Sequence, residues 1–151
     1  MEDLASRHGR QLLDDEAIQA SLTLLKIHAA ALANHMTAMD LGSQCSACAA
    51  VTGGCCSSYM EANSDVILLL INVLYGATVS LQHGPEDTCG FLAEDGCILP
   101  VKPMFCLNYN CSHIHTRATQ EAMKKLEKLA GTILTEQTSL EEMILRAIER
   151  S

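Results

Sequence analysis

A chain of 151 residues is long enough to bury a core of its own, so its eight cysteines are not there to staple an undersized fold. A formal charge of −8, from 18 acidic against 10 basic side chains, argues against a protein that neutralises many phosphates, and neither nucleic acid nor an anionic membrane is an expected partner. With no Trp, two Phe and three Tyr, the core has to come from Leu, Ile, Val, Ala and Met.

That composition favours helices, and the fold expected is mainly α. The reading is one helical domain over residues 1–151: a small bundle of about four helices with a long Cys-rich metal-binding loop. Met1 to Leu13 reads as a polar lead-in or a frayed helix. It lacks a cationic start, an apolar run and a small-residue cleavage site, so a cytoplasmic location is expected. From Asp14 onward, Ile18, Leu22, Leu25, Ala29, Leu32, Met36 and Met39 recur in steps of four and three, predicting a long helix. Asp14, Asp15 and Glu16 suit its positive end, and Gly42 is the expected stop. Leu24 and Ile27 widen the apolar face, which serves either the core of the bundle or the seam of a homodimer. His28 and His35 read as solvated or core-edge residues, because zinc-binding pairs on a helix sit at i, i+4.

Gly42 to Ser57 reads as a first cysteine loop. Ser58 to Glu61 fits a capping box opening a second helix, with Asn63-Ser64-Asp65 as a competing start. Val66, Leu69, Leu70, Val73, Leu74, Ala77 and Leu81 supply helical spacing, while Ile67, Leu68 and Ile71 fill the other side. A helix apolar almost all round belongs in the middle of a bundle, and His83-Gly84-Pro85 should end it. The run from Val66 to Leu81 includes Asn72, Gly76, Thr78 and Ser80 and is short for a bilayer span of about 20 residues, so no membrane partner is expected. Pro100 and Pro103 make residues 86–115 irregular, and so long a loop needs something to hold it; a metal would do so. Asp95-Gly96 reads as a turn. Two more helices follow. Arg117 to Leu134 turns Met123, Leu126, Leu129, Ala130 and Ile133 inward, with Lys124, Lys125 and Lys128 outside. A second capping box at Ser139 to Glu142 opens the last helix, which buries Leu140, Ile144, Ala147 and Ile148.

Every candidate ligand lies in one stretch: Cys45, Cys48, Cys55, Cys56, Cys89, Cys97, Cys106 and Cys111. In a reducing cytosol such density points to metal binding or redox chemistry before disulfides. There is a single Cys-x-x-Cys, and the last four cysteines are dispersed as ligands from a wrapped loop would be. That suits an iron–sulfur cluster, which accepts scattered thiolates. Adjacent residues seldom point both side chains at one small tetrahedral ion. Cys55 and Cys56 therefore serve two neighbouring sites, or one ligates and the other does something else. Eight thiols admit two Cys₄ sites, or one with the rest structural or redox-active. His113 and His115, next to Cys111, are ligands or exposed loop residues. Tyr59, Tyr75 and Tyr109 read as packing residues with a polar tip.

Five pieces of this stretch, Cys45-x-x-Cys48, Gly53-Gly54-Cys55-Cys56, Cys89-Gly90-Phe91-Leu92, Asp95-Gly96-Cys97-Ile98-Leu99 and Lys102-Pro103-Met104-Phe105-Cys106, together resemble the YkgJ family of zinc- or iron-chelating cysteine-cluster proteins. The resemblance covers about residues 45–111. It departs from the family pattern at Lys102 and Leu107, where Arg is usual, and Lys is a point charge where Arg forks bidentately. What it implies is metal chelation, often described as iron–sulfur, with no known reaction. The function expected is a metal-cluster protein with one or two iron–sulfur centres, of the 4Fe-4S type, serving electron transfer, redox sensing or a larger enzyme. The alternative is a zinc-binding structural or interaction module without redox activity. No Walker loop, dinucleotide fingerprint or Ser-His-Asp-like arrangement is present, so no catalytic residue is assigned. The partner is expected to be another protein.

Overall fold

The computed structural model describes residues 2–52, 54–81 and 87–150, and the chain is mainly helical. Helix α1 (Glu2–Asp14) is separated from α2 (Glu16–Ala38) by Asp15 alone. The Asp15 carboxylate accepts from the backbone N–H of Ala17 at 2.9 Å and of Ile18 at 3.1 Å, satisfying two of the donors that open α2. Of the two readings expected for this stretch, the helix is the one present, and it is not a polar lead-in. Leu12, only 1% exposed, anchors α1 against α2 and a later helix, α5 (Val66–Tyr75).

The periodic set Ile18, Leu22, Leu25, Ala29 and Leu32 is buried throughout. Its main partner is the last helix of the same chain, α8 (Gln120–Glu149). Each such fully buried Leu or Ile contributes about 1.5–3 kcal/mol of burial, so the seam drives folding of the chain itself. Leu24 and Ile27, expected to widen that face, point to solvent instead, at 51% and 58% exposed. The two helices run antiparallel: His28 Nδ1 lies 2.6 Å from Glu136 Oε1, and His35 Nε2 lies 2.9 Å from the Ala122 carbonyl oxygen. Both histidines thus work at the edge of the core.

α8 is one helix where two were predicted. Its cap is Thr119, whose hydroxyl accepts from Ala122 N–H at 3.2 Å, and Ser139 to Glu142 lie in mid-helix. Leu140, Ile144 and Ala147 continue the stripe of Met123, Leu126, Ala130 and Ile133, and a continuous buried face outweighs a local capping signal. α5 takes the competing start: Asp65 accepts from Ile67 N–H at 2.9 Å and Leu68 N–H at 2.8 Å. It stops at Tyr75, where Gly76 adopts the left-handed conformation (φ 103°), so Ala77 and Leu81 fall outside it. The expected stop, His83-Gly84-Pro85, lies outside the described residues. Among the described residues no helix is long and apolar enough to cross a membrane. α1, α2, α5 and α8 touch one another pairwise around a shared core.

A buried amide ties the irregular half of the chain to these helices. Asn72 on α5 is fully buried. Its Nδ2 donates to the Val101 carbonyl at 2.8 Å and to the Leu68 carbonyl at 2.9 Å, and its Oδ1 accepts from Val101 N–H at 3.0 Å. The side chain does for Val101 what a neighbouring strand would do. Leu99, Val101 and Pro103 are buried on either side of the contact. Replacing Asn72 with Leu keeps the bulk but strands the Val101 amide group in a dry core, at about 1–3 kcal/mol for each orphaned group. Asn72→Leu should lower stability by about 3 kcal/mol, a fall in melting temperature of about 10 °C. Thermal unfolding followed by circular dichroism checks this, and a shift below 2 °C would remove Asn72 from its structural role.

Candidate functional site

Residues 42–57, expected to be a loop, begin instead with a helix, α3 (Leu41–Thr52). α2 ends at Ala38, and Asp40 turns the chain through a positive φ of 54°. Leu41 and Ala49 are buried and give α3 an inward edge. Cys45 and Cys48 therefore stand about one turn apart on a helix, at a spacing that makes side chains neighbours. Gly42 lies in the first turn of α3 and does not stop α2.

Its smallness has another use. A hairpin of β1 (Leu92–Ala93) and β2 (Gly96–Cys97), turning through Glu94 and Asp95, lies against the start of α3. A Cβ on Gly42 would run into the Asp95 carbonyl, and one on Gly96 would come within 2.8 Å of Gly42 Cα. Gly96 also has φ 109°, which favours glycine by itself. Two backbones meet here with no side chain between them, and Cys97 follows directly.

Cys55 and Cys56 lie in a bend that pairs with residues 87–89. Ser57 and Thr88 form an antiparallel bridge, Ser58 N–H donates to Asp87 O at 3.0 Å, and Cys89 N–H donates to Cys56 O at 3.1 Å. The short α4 (Ser58–Glu61) follows Ser57 without any side-chain cap bond. Glu61, expected to close a capping box, accepts instead from Gly90 N–H at 2.7 Å, fixing the residue after Cys89. Residues 86–115 are not structureless: besides the hairpin they hold α6 (Met104–Asn108) and α7 (Ser112–Arg117). Pro103 precedes α6, where its missing N–H costs nothing, and this makes Cys106 helical. Cys111 caps α7.

None of the eight cysteines is in a disulfide. Six of them line two cavities. The larger, about 80 Å³, meets Cys45, Cys55, Cys56 and Cys106 among apolar side chains such as Leu32, Leu41 and Leu126. The smaller, about 20 Å³, is lined by Gln44, Cys45, Cys48, Cys55, Cys111, His113 and Ile114. Cys89 and Cys97 join electrostatically, since both push the Cys106 thiol up. Among the described residues, no three His, Cys, Asp or Glu side chains are grouped so as to hold a metal ion as they stand.

The thiols differ in how they hold their protons. Cys56 is hydrogen-bonded to both Cys45 and Cys55, which raises its own pKa, while the bond from Cys56 is the first cause that lowers the other two. Cys55 comes down to about 6, helped by its own and the Cys56 backbone N–H groups and by His113. Burial raises Cys89. Cys106 is exposed by area yet crowded by neighbouring atoms, and that desolvation, with Cys97, Cys89 and Cys55 nearby, pushes its thiol up to about 12. Lys102 acts in the opposite direction on Cys106, while its ammonium donates to the Leu99 carbonyl at 2.7 Å.

Other expectations resolve differently. Tyr59 is 82% exposed and packs against little, whereas Tyr109 stacks on Phe105 at 5.4 Å and Tyr75 lies 5.4 Å from the Lys26 ammonium. Lys124, Lys125 and Lys128 are solvated. His113 and His115 are both exposed; His113 lines the smaller cysteine cavity, whereas His115 faces a separate surface pocket with Lys124 and Glu127. Asn72, Glu61 and the pairing of Gly42 with Gly96 were not foreseen. Asn72 could have been suspected as the one amide in an otherwise apolar helix.

No protein-family model, no curated protein and no solved structure matches this chain.

Gly42→Ala should push the hairpin off α3 and make residues 87–100 the first site of limited proteolysis. Gly131→Ala is the control: nothing lies within 4 Å of the added methyl in mid-helix, and stability should rise by about 1 kcal/mol. Equal cleavage of Gly42→Ala and the parent protein would disprove the close approach. In protein treated with chelator, Cys55 should be mostly thiolate above about pH 6, whereas Cys106 should stay protonated to about pH 12. Iodoacetamide at pH 7, mapped by peptide mass, should label Cys55 well before Cys106; the reverse order would refute the hydrogen-bonded arrangement.

Proposed function

We propose that this protein is a thiolate metal-binding protein whose cysteines hold an iron–sulfur centre, of the 4Fe-4S type, on a small bundle of about four helices. The observation that carries the reading is proximity: thiols from α3, from the bend at 55–56 and from α6 and α7 line two cavities that share Cys45 and Cys55, Cys89 and Cys97 are near enough to act on Cys106, and none of the eight is in a disulfide. The donor set fits. Sulfur is the ligand common to iron–sulfur clusters, and the apolar wall of the larger cavity would keep water from them. When bound, the cluster would supply one-electron chemistry; the chain supplies thiolates, a dry wall and backbone N–H groups near Cys55 and Cys89. The resemblance of residues 45–111 to the YkgJ family points the same way.

Electron transfer, redox sensing and service to a larger enzyme all fit such a centre, and a cytoplasmic location would keep the thiols reduced. A chain of charge −8 would meet a basic protein surface most readily. A homodimer through α2 would have to use Leu24 and Ile27, since the heptad residues are already covered by α8.

Protein purified without oxygen should be brown and contain iron with acid-labile sulfide. Colourless protein with stoichiometric zinc would replace this reading by a zinc module; absence of both metals would end it. Cys48→Ser and Cys97→Ser should each lower bound metal and open residues 87–115 to protease. Full occupancy and unchanged resistance in both would strike the two residues from the ligand set.

A further inference from the structure

The two cavities are not equivalent. Cys56 and Cys106 line only the larger, Cys48, Cys111 and His113 only the smaller, and Cys45 and Cys55 line both. At about 20 Å³ the smaller has room for one water-sized body and none for a polynuclear cluster. Five of its seven lining residues are sulfur or imidazole donors.

We infer that Cys48, Cys111 and His113, with the thiolate of Cys45 or Cys55, form a second centre for one divalent cation of the zinc class. Three thiolates and an imidazole are a complete ligand set for such an ion, which takes four ligands at tetrahedral corners and is borderline-soft. Two rigid elements present them. α3 offers Cys45 and Cys48 from neighbouring turns, and the start of α7 offers Cys111 at the cap with His113 two residues on. The donors line one cavity without being grouped tightly enough to hold an ion as they stand, so an ion would have to draw them in. This inference rests on the reading that these thiols bind metal, and adds to it an imidazole, a second centre and a different ion.

The test uses the full chain, stripped of metal under anaerobic conditions and titrated with Co²⁺ as a spectroscopic substitute for zinc. The parent protein should show ligand-field bands of a three-sulfur, one-nitrogen tetrahedral site. His113→Ala should lose those bands and weaken that equivalent at least tenfold, while His115→Ala, beside it and outside the cavity, should titrate like the parent. His113→Cys should restore tight binding with bands shifted to a four-sulfur pattern. If the parent binds Co²⁺ and His113→Ala is indistinguishable from it, the mixed centre is refuted and the thiolate reading stands. If the parent binds no Co²⁺, the mixed centre is refuted, while the iron–sulfur reading stands or falls on the iron and acid-labile sulfide of the anaerobic protein.

Discussion

The cysteine-bearing stretch is built of short elements, and backbone attachment to the longer helices helps hold them in place. Asn72 is the deepest of these attachments, a fully buried amide that satisfies both the N–H and the C=O of Val101. Leaving those groups unpaired in an apolar core would cost more than any single apolar contact nearby contributes, so residues 99–103 can sit in the core only in this register. α6 starts immediately afterwards at Met104, and its packing on α8 sets where Cys106 stands. The Gly42–Gly96 approach and the Glu61–Gly90 bond then position the hairpin and Cys89. None of the three uses a cysteine. The scaffold therefore has three attachments that do not draw on the thiols, and bound metal would add to them.

Within the cluster, hydrogen bonding sets three sulfurs apart. Cys56 keeps its proton and donates toward Cys45 and Cys55, which release theirs more readily. Three adjacent thiolates in a molecule of charge −8 would repel one another strongly, and retaining a proton on Cys56 limits that repulsion. A cation could supply the same compensation. It would displace the proton as it arrived, so uptake would become easier as pH rises through the thiol range. The low thiol at Cys55 and the high one at Cys106 are then two faces of one arrangement: a hydrogen bond lowers the first, and crowding by neighbouring sulfurs and desolvation raise the second.

Much of the helical frame was legible in the residues. The steps of four and three from Ile18 to Leu32 marked α2, and Asp65 marked the true start of α5, because periodic burial and a capping carboxylate are local signals. Local signals also misled. Ser139 to Glu142 has the residues of a cap, yet the stripe from Met123 to Ala147 runs through it, and tertiary burial decided. α3 was missed because Gly, Ser and Cys mask its helical character, and its inward edge rests on Leu41 and Ala49 alone. The density of cysteines was visible from the start, but their grouping was not. That grouping depends on contacts between residues far apart in the chain, such as Gly42 with Gly96 and Cys56 with Cys89, which carry no periodic trace.

Cys45 and Cys55 line both cavities, and this has a consequence for any metal chemistry the site performs. A thiolate drawn toward the smaller cavity is turned from the larger, unless it bridges the two. Were both centres filled, occupation of one would alter the affinity of the other, and by linkage the effect would be reciprocal. If Cys55 closes the small site, the larger cavity keeps Cys45, Cys56 and Cys106 on its own wall, and a fourth thiolate would have to come from Cys89 or Cys97, whose charges already act on Cys106. The adjacent pair Cys55-Cys56 then makes physical sense. Two neighbouring residues that cannot comfortably serve one tetrahedral ion can each serve a different centre, and the peptide between them becomes the shortest mechanical connection from one to the other.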